Sequence, residues 1–144
     1  MPLCDLSGKR ILVTQAGEFM GPVLCRTFAD LGAEVIGDEG PLDDPARPAQ
    51  LVAQAGHVDA LVANLAVPAP STPALEVDDG EWQHLFRHMV DPLPRLCRAA
   101  LPQMIERRSG RILVMGSASA LRGMKRASSY SAARGAISTP RACT

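Results

Sequence analysis

Ser117, Tyr130 and Arg134 are the residues of this chain best suited to do chemistry together, and they fall in the spacing Ser-x12-Tyr-x3-Arg. A phenol is a poor base in water, with a pKa near ~10. A permanently cationic guanidinium beside it favours the phenolate and makes proton transfer at a substrate oxygen feasible. A serine hydroxyl close by aligns that oxygen through a hydrogen bond. Tyr130 and Arg134 stand at i and i+4, so a helix starting at Ser128 or Ser129 puts both on one face. Taken singly, each has a structural role open to it: a serine ending a strand, a packed tyrosine, a solvated arginine. The three in this spacing, behind an apolar run, point to an acid–base site.

The elements that must position them follow from the pattern. Ser117 comes after Arg111-Ile-Leu-Val-Met115, which reads as a buried strand delivering the serine at its C-terminal end, where ligands sit in an open α/β sheet. Upstream, Ile11-Leu-Val-Thr14 reads as a first strand, followed by a glycine-bearing turn through Gly21 and an amphipathic helix from Pro22 to Leu31. Gly32 stops that helix, and Ala33-Glu-Val-Ile36 reads as a second strand. Residues 37–48 are rich in Pro and Gly and read as a loop, with Asp38 a solvated residue in it, and 49–55 suit a short helix. Asp59 to Ala63 is the next strand, and 64–72 a proline-punctuated loop. The long segment from Asp79 to Arg107 is helical in pattern, and Pro92 and Pro94 break or kink it. Trp82 and Phe86 read as helix packing. Strands alternating with helices predict an α/β fold, a Rossmann-like, doubly wound parallel sheet with helices on both faces.

The bulk numbers fit one domain. The chain has 144 residues, 47% hydrophobic and 21% charged, enough for a sizeable core. Lys+Arg 15 against Asp+Glu 15 gives no reason to expect a nucleic-acid or anionic-membrane partner. No apolar stretch is long enough for a membrane span and no signal-peptide pattern opens the chain, so a cytoplasmic location is the expectation. Cys4, Cys25, Cys97 and Cys143 show neither a CxxC pair nor metal spacing and are expected reduced. His84 and His88 at i, i+4 lack a third ligand, so no metal is expected.

From Leu6 to about Ala136 the chain resembles the short-chain dehydrogenase/reductase superfamily. The resemblance rests on Leu6–Thr14 as first strand, Asp59–Asn64 as fourth strand, Arg98–Met104 as interface helix, and Gly116-Ser117 with Tyr130. The departures are informative. Where that superfamily has Thr-Gly-x-x-x-Gly-x-Gly, this chain has Thr14 and Gly21 but Gln15 and Phe19 in place of the first two glycines. Those glycines let a pyrophosphate approach backbone N–H groups, and a benzyl group at position 19 is expected to occupy that space. The relay asparagine aligns with Met89, and the lysine of Tyr-x3-Lys with Arg134.

Both Thr-x4-(Phe/Tyr)-x-Gly, here Thr14, Phe19 and Gly21, and Ser-x12-Tyr-x3-Arg resemble the halohydrin dehalogenase branch, most closely its B-type members. That resemblance implies a cofactor-independent conversion of vicinal haloalcohols to epoxides with halide release, reversible with small anions. Ser117, Tyr130 and Arg134 would be catalytic, and Phe19 would belong to the halide pocket. Asn64, Leu65, Val67 and Ser119, on loops after the fourth and fifth strands, are expected to line it. It also implies a link shortened between the second and fourth strands, and further C-terminal strands that this chain lacks, so that a single incomplete domain spans 1–144. On this expectation residues 137–144 are an aberrant tail and activity is impaired. The superfamily resemblance alone implies the alternative, an NAD(P)-dependent oxidoreductase. A third reading is an inactive relic that only self-associates. The resemblance further implies homo-oligomers formed through helices within 79–107.

Overall fold

The computed structural model describes residues 4–138; most of the tail and Cys143 therefore lie outside the described residues. Four parallel strands form one sheet in the order β2-β1-β3-β4, where β1 is Arg10–Thr14, β2 Glu34–Asp38, β3 Ala60–Ala63 and β4 Arg111–Val114. Register pairs Leu12 with Ile36 on one side and with Leu61 on the other, and Val62 with Leu113. The chain leaves β1 toward β2 and then crosses back to β3. The switch point of the sheet therefore lies between the ends of β1 and β3, the place where open α/β sheets bind ligands.

Central strands bury both faces, as parallel strands do when helices cover them. Ile11 and Val13 face α1 (Gly21–Asp30), packing with Val62, Leu24, Cys25 and Phe28. Leu12 and Leu61 face the larger core, built by α2 (Arg47–Ala55), α3 (Asp79–Leu85), α4 (Pro92–Glu106) and α6 (Ser128–Ile137). Met89, the residue in the relay position, is fully buried there.

Several expectations need correcting. Among the described residues β4 is not a buried strand: it stands at the edge of the four-stranded sheet, and its Leu113 is 43% exposed. β2 extends to Asp38 and α2 starts at Arg47, so the loop of 37–48 is shorter at both ends. Asp38 is not a solvated loop residue. It forms an ion pair with Arg47, its side chain is only 12% exposed, and its Oδ2 is buried with no hydrogen-bond partner. The 79–107 segment does break before Pro92, through a π-helical turn at Phe86–Val90. Pro92 restarts the helix where its missing N–H costs nothing, while Pro102 is carried inside α4. Trp82 stacks on Phe86 with ring centroids 4.7 Å apart.

The helix bearing the tyrosine is fixed at both ends. At its start, the carboxylate of Glu81 accepts hydrogen bonds from Ser129 Oγ and from Thr72 Oγ1. Glu81 is itself held in the first turn of α3, its N–H donating to the Asp78 cap at 2.7 Å. At its end, Ile137 is buried in the main core.

Candidate active site

α6 runs from Ser128, as the spacing of Tyr130 and Arg134 requires, and presents both side chains to the interior. Arg134 is 2% exposed and Tyr130 8% exposed. Arg134 Nε donates to the Tyr130 hydroxyl at 2.9 Å, and Nη1 donates to the Met115 carbonyl at 3.0 Å. One guanidinium thus grips the tyrosine oxygen and the end of the β4 segment two residues before Ser117. No carboxylate lies within ion-pairing distance of Arg134 among the described residues. A buried cation without a counter-ion, hydrogen-bonded to a phenol, is arranged to stabilise negative charge on that oxygen.

Tyr130 and Arg134 line a cavity of about 330 Å³ together with Glu18, Phe19, Ala66, Val67, Pro68 and Ala69. The turn after β1 supplies one side and the loop after β3 another, so the cavity sits at the switch point. Of the expected lining residues, Phe19 and Val67 are there. Asn64 and Leu65 are not: both are fully buried. Leu65 belongs to the core, and Asn64 Nδ2 donates to the carbonyls of Gln15 at 3.0 Å and Glu18 at 2.9 Å. Asn64 supports the turn from beneath. Its Oδ1 is buried without a partner.

Ser117 and Ser119 pair with each other. Ser119 Oγ donates to Ser117 Oγ at 2.9 Å, and Ser119 N–H to the same oxygen at 3.2 Å. Neither lines the cavity. Ser119 opens the short helix α5 (Ser119–Arg122) and orients Ser117 rather than lining a pocket.

The turn keeps the backbone shape that glycines ordinarily allow. Gln15 has φ 45° and Phe19 φ 49°, both left-handed. A Cβ on Gly21 would stand 2.4 Å from the Ala16 carbonyl oxygen, so glycine is required there. α1 begins with Pro22 in its first turn and no side chain caps it. Phe19 is 64% exposed. Its ring stands largely in solvent at the cavity's edge instead of packing into the turn, contrary to the expectation from its bulk.

Sequence reading missed three contributors. Gln15 stands where the superfamily resemblance implies a glycine, yet its carboxamide bonds the Ala66 backbone at 3.0 and 2.8 Å. Glu18 lines the cavity beside Phe19, and the Met115 carbonyl anchors Arg134. Their adjacency to Phe19, Val67 and Ser117 in the chain was the available signal.

A family model described as short chain dehydrogenase matches residues 44–139. The 2-keto-3-deoxy-L-fuconate dehydrogenase of Xanthomonas campestris pv. campestris is 31% identical over 94% of this chain and 52% of its own. The 3-oxoacyl-[acyl-carrier-protein] reductase of Escherichia coli is 27% identical over 92% of this chain and 64% of its own. The chain therefore spans between about half and two thirds of the length of these curated relatives. A solved structure described as "Dehalogenation enzyme" matches with TM-score 0.83 and 31% identity, over 91% of this chain and 63% of that one. A gluconate 5-dehydrogenase from Burkholderia cenocepacia, solved with NADP and tartrate, matches with TM-score 0.84 over 92% of this chain and 63% of its own, and at 23% identity shows the shared fold.

Proposed function

The chain belongs to the short chain dehydrogenase family, and on that premise we propose that its site carries out Tyr130-centred acid–base chemistry in a nicotinamide-dependent oxidoreductase acting on a small alcohol or ketone. The observation that carries the reading is the 2.9 Å hydrogen bond from the buried Arg134 guanidinium to the Tyr130 hydroxyl. The dehydrogenases and reductases among the relatives support this reading over the cofactor-independent haloalcohol chemistry that the two fingerprints imply.

The residues present fit a dinucleotide. The left-handed turn of Gln15 and Phe19 and the uncapped start of α1 suit a pyrophosphate. Asp38 ends β2 with a buried, unpartnered Oδ2 that a ribose hydroxyl would satisfy. When bound, such a cofactor supplies or accepts a hydride. The chain's own work is the proton. The Tyr130 hydroxyl donates to, or accepts from, the substrate oxygen, and Arg134 stabilises charge on the phenol oxygen while its proton is away. Ser117, oriented by Ser119 and two residues beyond the Met115 carbonyl that Arg134 grips, lies outside this cavity and is assigned no contact with the substrate oxygen. The cavity of about 330 Å³ is at the small end of ligand-binding pockets, which suits a small alcohol or ketone.

A second reading, haloalcohol to epoxide conversion, is favoured by Phe19 walling the same cavity as Tyr130 and Arg134, and by the structure described as a dehalogenation enzyme. There Tyr130 takes the hydroxyl proton, the oxygen bonds the neighbouring carbon, and halide leaves with the bond pair. Fluorescence titration with NADH and NADPH separates the two. Micromolar binding, with carbonyl reduction lost in Tyr130→Phe, is expected. No binding at millimolar cofactor together with halide release from 1,3-dichloro-2-propanol overturns the first reading in favour of the second. Self-association through 79–107 belongs to the same proposal. Trp82, 43% exposed on that segment, supports it, and sedimentation of Trp82→Ala as a smaller species checks it.

A further inference from the structure

Gln15 occupies a left-handed position that glycine would adopt at less cost, with φ 45°. A side chain kept there must contribute something, and its carboxamide does. Nε2 donates to the Ala66 carbonyl at 3.0 Å and Oε1 accepts from the Ala66 N–H at 2.8 Å. Both backbone groups of one loop residue are satisfied as a neighbouring strand would satisfy them. Beneath this pair, Asn64 joins the Gln15 and Glu18 carbonyls. The turn and the loop after β3 are therefore one hydrogen-bonded unit at the switch point.

The loop has a second pin. Thr72 N–H donates to the Arg126 carbonyl at 2.7 Å, and the Arg126 side chain donates to Ser71 Oγ and carbonyl, each at 3.1 Å. Between the pins run Val67 to Pro70, of which Val67, Pro68 and Ala69 line the same cavity as Glu18 and Phe19. We propose that Gln15 is a positioning residue: its clasp on Ala66 holds that loop against the turn and so sets the width of the cavity at Tyr130. It touches neither Tyr130 nor Arg134 by hydrogen bond, so it governs how tightly substrate is held and leaves the proton transfer to them. This deepens the proposed function and rests on it for the identity of the substrate, not for the clasp.

Two variants of the full chain test it. Gln15→Gly removes the clasp and relaxes the left-handed backbone. Gln15→Glu keeps an acceptor for the Ala66 N–H but turns a carboxylate oxygen toward the Ala66 carbonyl. Amide hydrogen exchange reads the clasp without any substrate. A lost hydrogen bond of ~1–1.5 kcal/mol corresponds to exchange at Ala66 faster by about tenfold in Gln15→Gly, with Leu12 in the core unchanged and Gln15→Glu intermediate. Kinetics at saturating cofactor read the consequence: KM for the substrate rises several-fold in Gln15→Gly and less in Gln15→Glu. Unchanged exchange at Ala66, or a fall in kcat at constant KM, overturns the proposal. Should neither class of substrate turn over, the proposed function fails, and exchange at Ala66 still decides on the clasp.

Discussion

Arg134→Met separates what this arginine does for stability from what it does for chemistry. Methionine has a similar length and no charge. The substitution removes the donor to the Tyr130 hydroxyl at 2.9 Å and the donor to the Met115 carbonyl at 3.0 Å. Hydrogen bonds from a charged group are worth ~1.5–3 kcal/mol each, so ~3–6 kcal/mol of favourable interaction goes. Against this, an ion buried without a carboxylate partner carries a desolvation penalty of several kcal/mol, which the substitution returns. The two nearly cancel, and the unfolding free energy is expected within ~2 kcal/mol of the parent. The reaction has no such compensation. Losing one charge-assisted bond that strengthens as charge builds on the phenol oxygen costs ~1.5–3 kcal/mol in the transition state, or about 10- to 150-fold in rate. Denaturant unfolding followed through the single tryptophan, Trp82, reads the first quantity. Initial rates on whichever substrate the cofactor and halide assays identify read the second. A stability loss above ~4 kcal/mol, with the folded fraction turning over at the parent rate, would show that Arg134 is a structural cation and refute the reasoning.

Two further outcomes follow from other parts of the fold. In Gly21→Ala the new Cβ meets backbone oxygens of Ala16 and Gln15 at 2.4 and 2.7 Å. The turn must open, at a cost of ~1–3 kcal/mol, visible as a lower denaturant midpoint; an unchanged midpoint would mean that the turn is pliable. At the opposite end of the sheet, Asp59 Oδ2 accepts from the Arg10 N–H at 2.9 Å and Oδ1 lies 3.1 Å from His57 Nε2. Burial pushes the Asp59 carboxyl up, but the Arg10 amide, His57 and Lys9 together outweigh it and hold it below its ordinary value. A depressed carboxyl contributes stability above its unfolded pKa of ~3.9, lost as pH falls through the folded value. Asp59→Asn should therefore lower the melting temperature at neutral pH more than at acid pH, in scans at both; an equal drop would remove Asp59 from the acid response.

Much of the scaffold was legible because it depends on local pattern. Ile11 to Val13 and Leu61 to Ala63 are short apolar runs bounded by turn residues, and parallel strands covered on both faces read that way. The pairing of Tyr130 with Arg134 was legible too, since helical geometry alone brings i and i+4 together. β4 was misread as buried because its run Arg111-Ile-Leu-Val114 resembles the others, and only the strand order puts it at an edge. Asp38 was misread for a similar reason: its partner Arg47 lies beyond a loop whose path the pattern does not specify.

The sequence by itself determined the alternation of strands and helices and the tyrosine–arginine pair, because those depend on periodicity and spacing within a few residues of the chain. Tertiary structure decided which side chains face the cavity. Asn64 and Leu65 are neighbours of Val67 in sequence, yet they turn into the turn's underside and the core. Gln15 became a clasp only when Ala66, far along the chain, came within hydrogen-bonding reach of it. Phe19 was bulky enough on paper to fill the turn, and its left-handed backbone instead leaves its ring mostly in solvent. Such outcomes depend on contacts between distant segments, whose geometry is set when the sheet and its helices pack and not before.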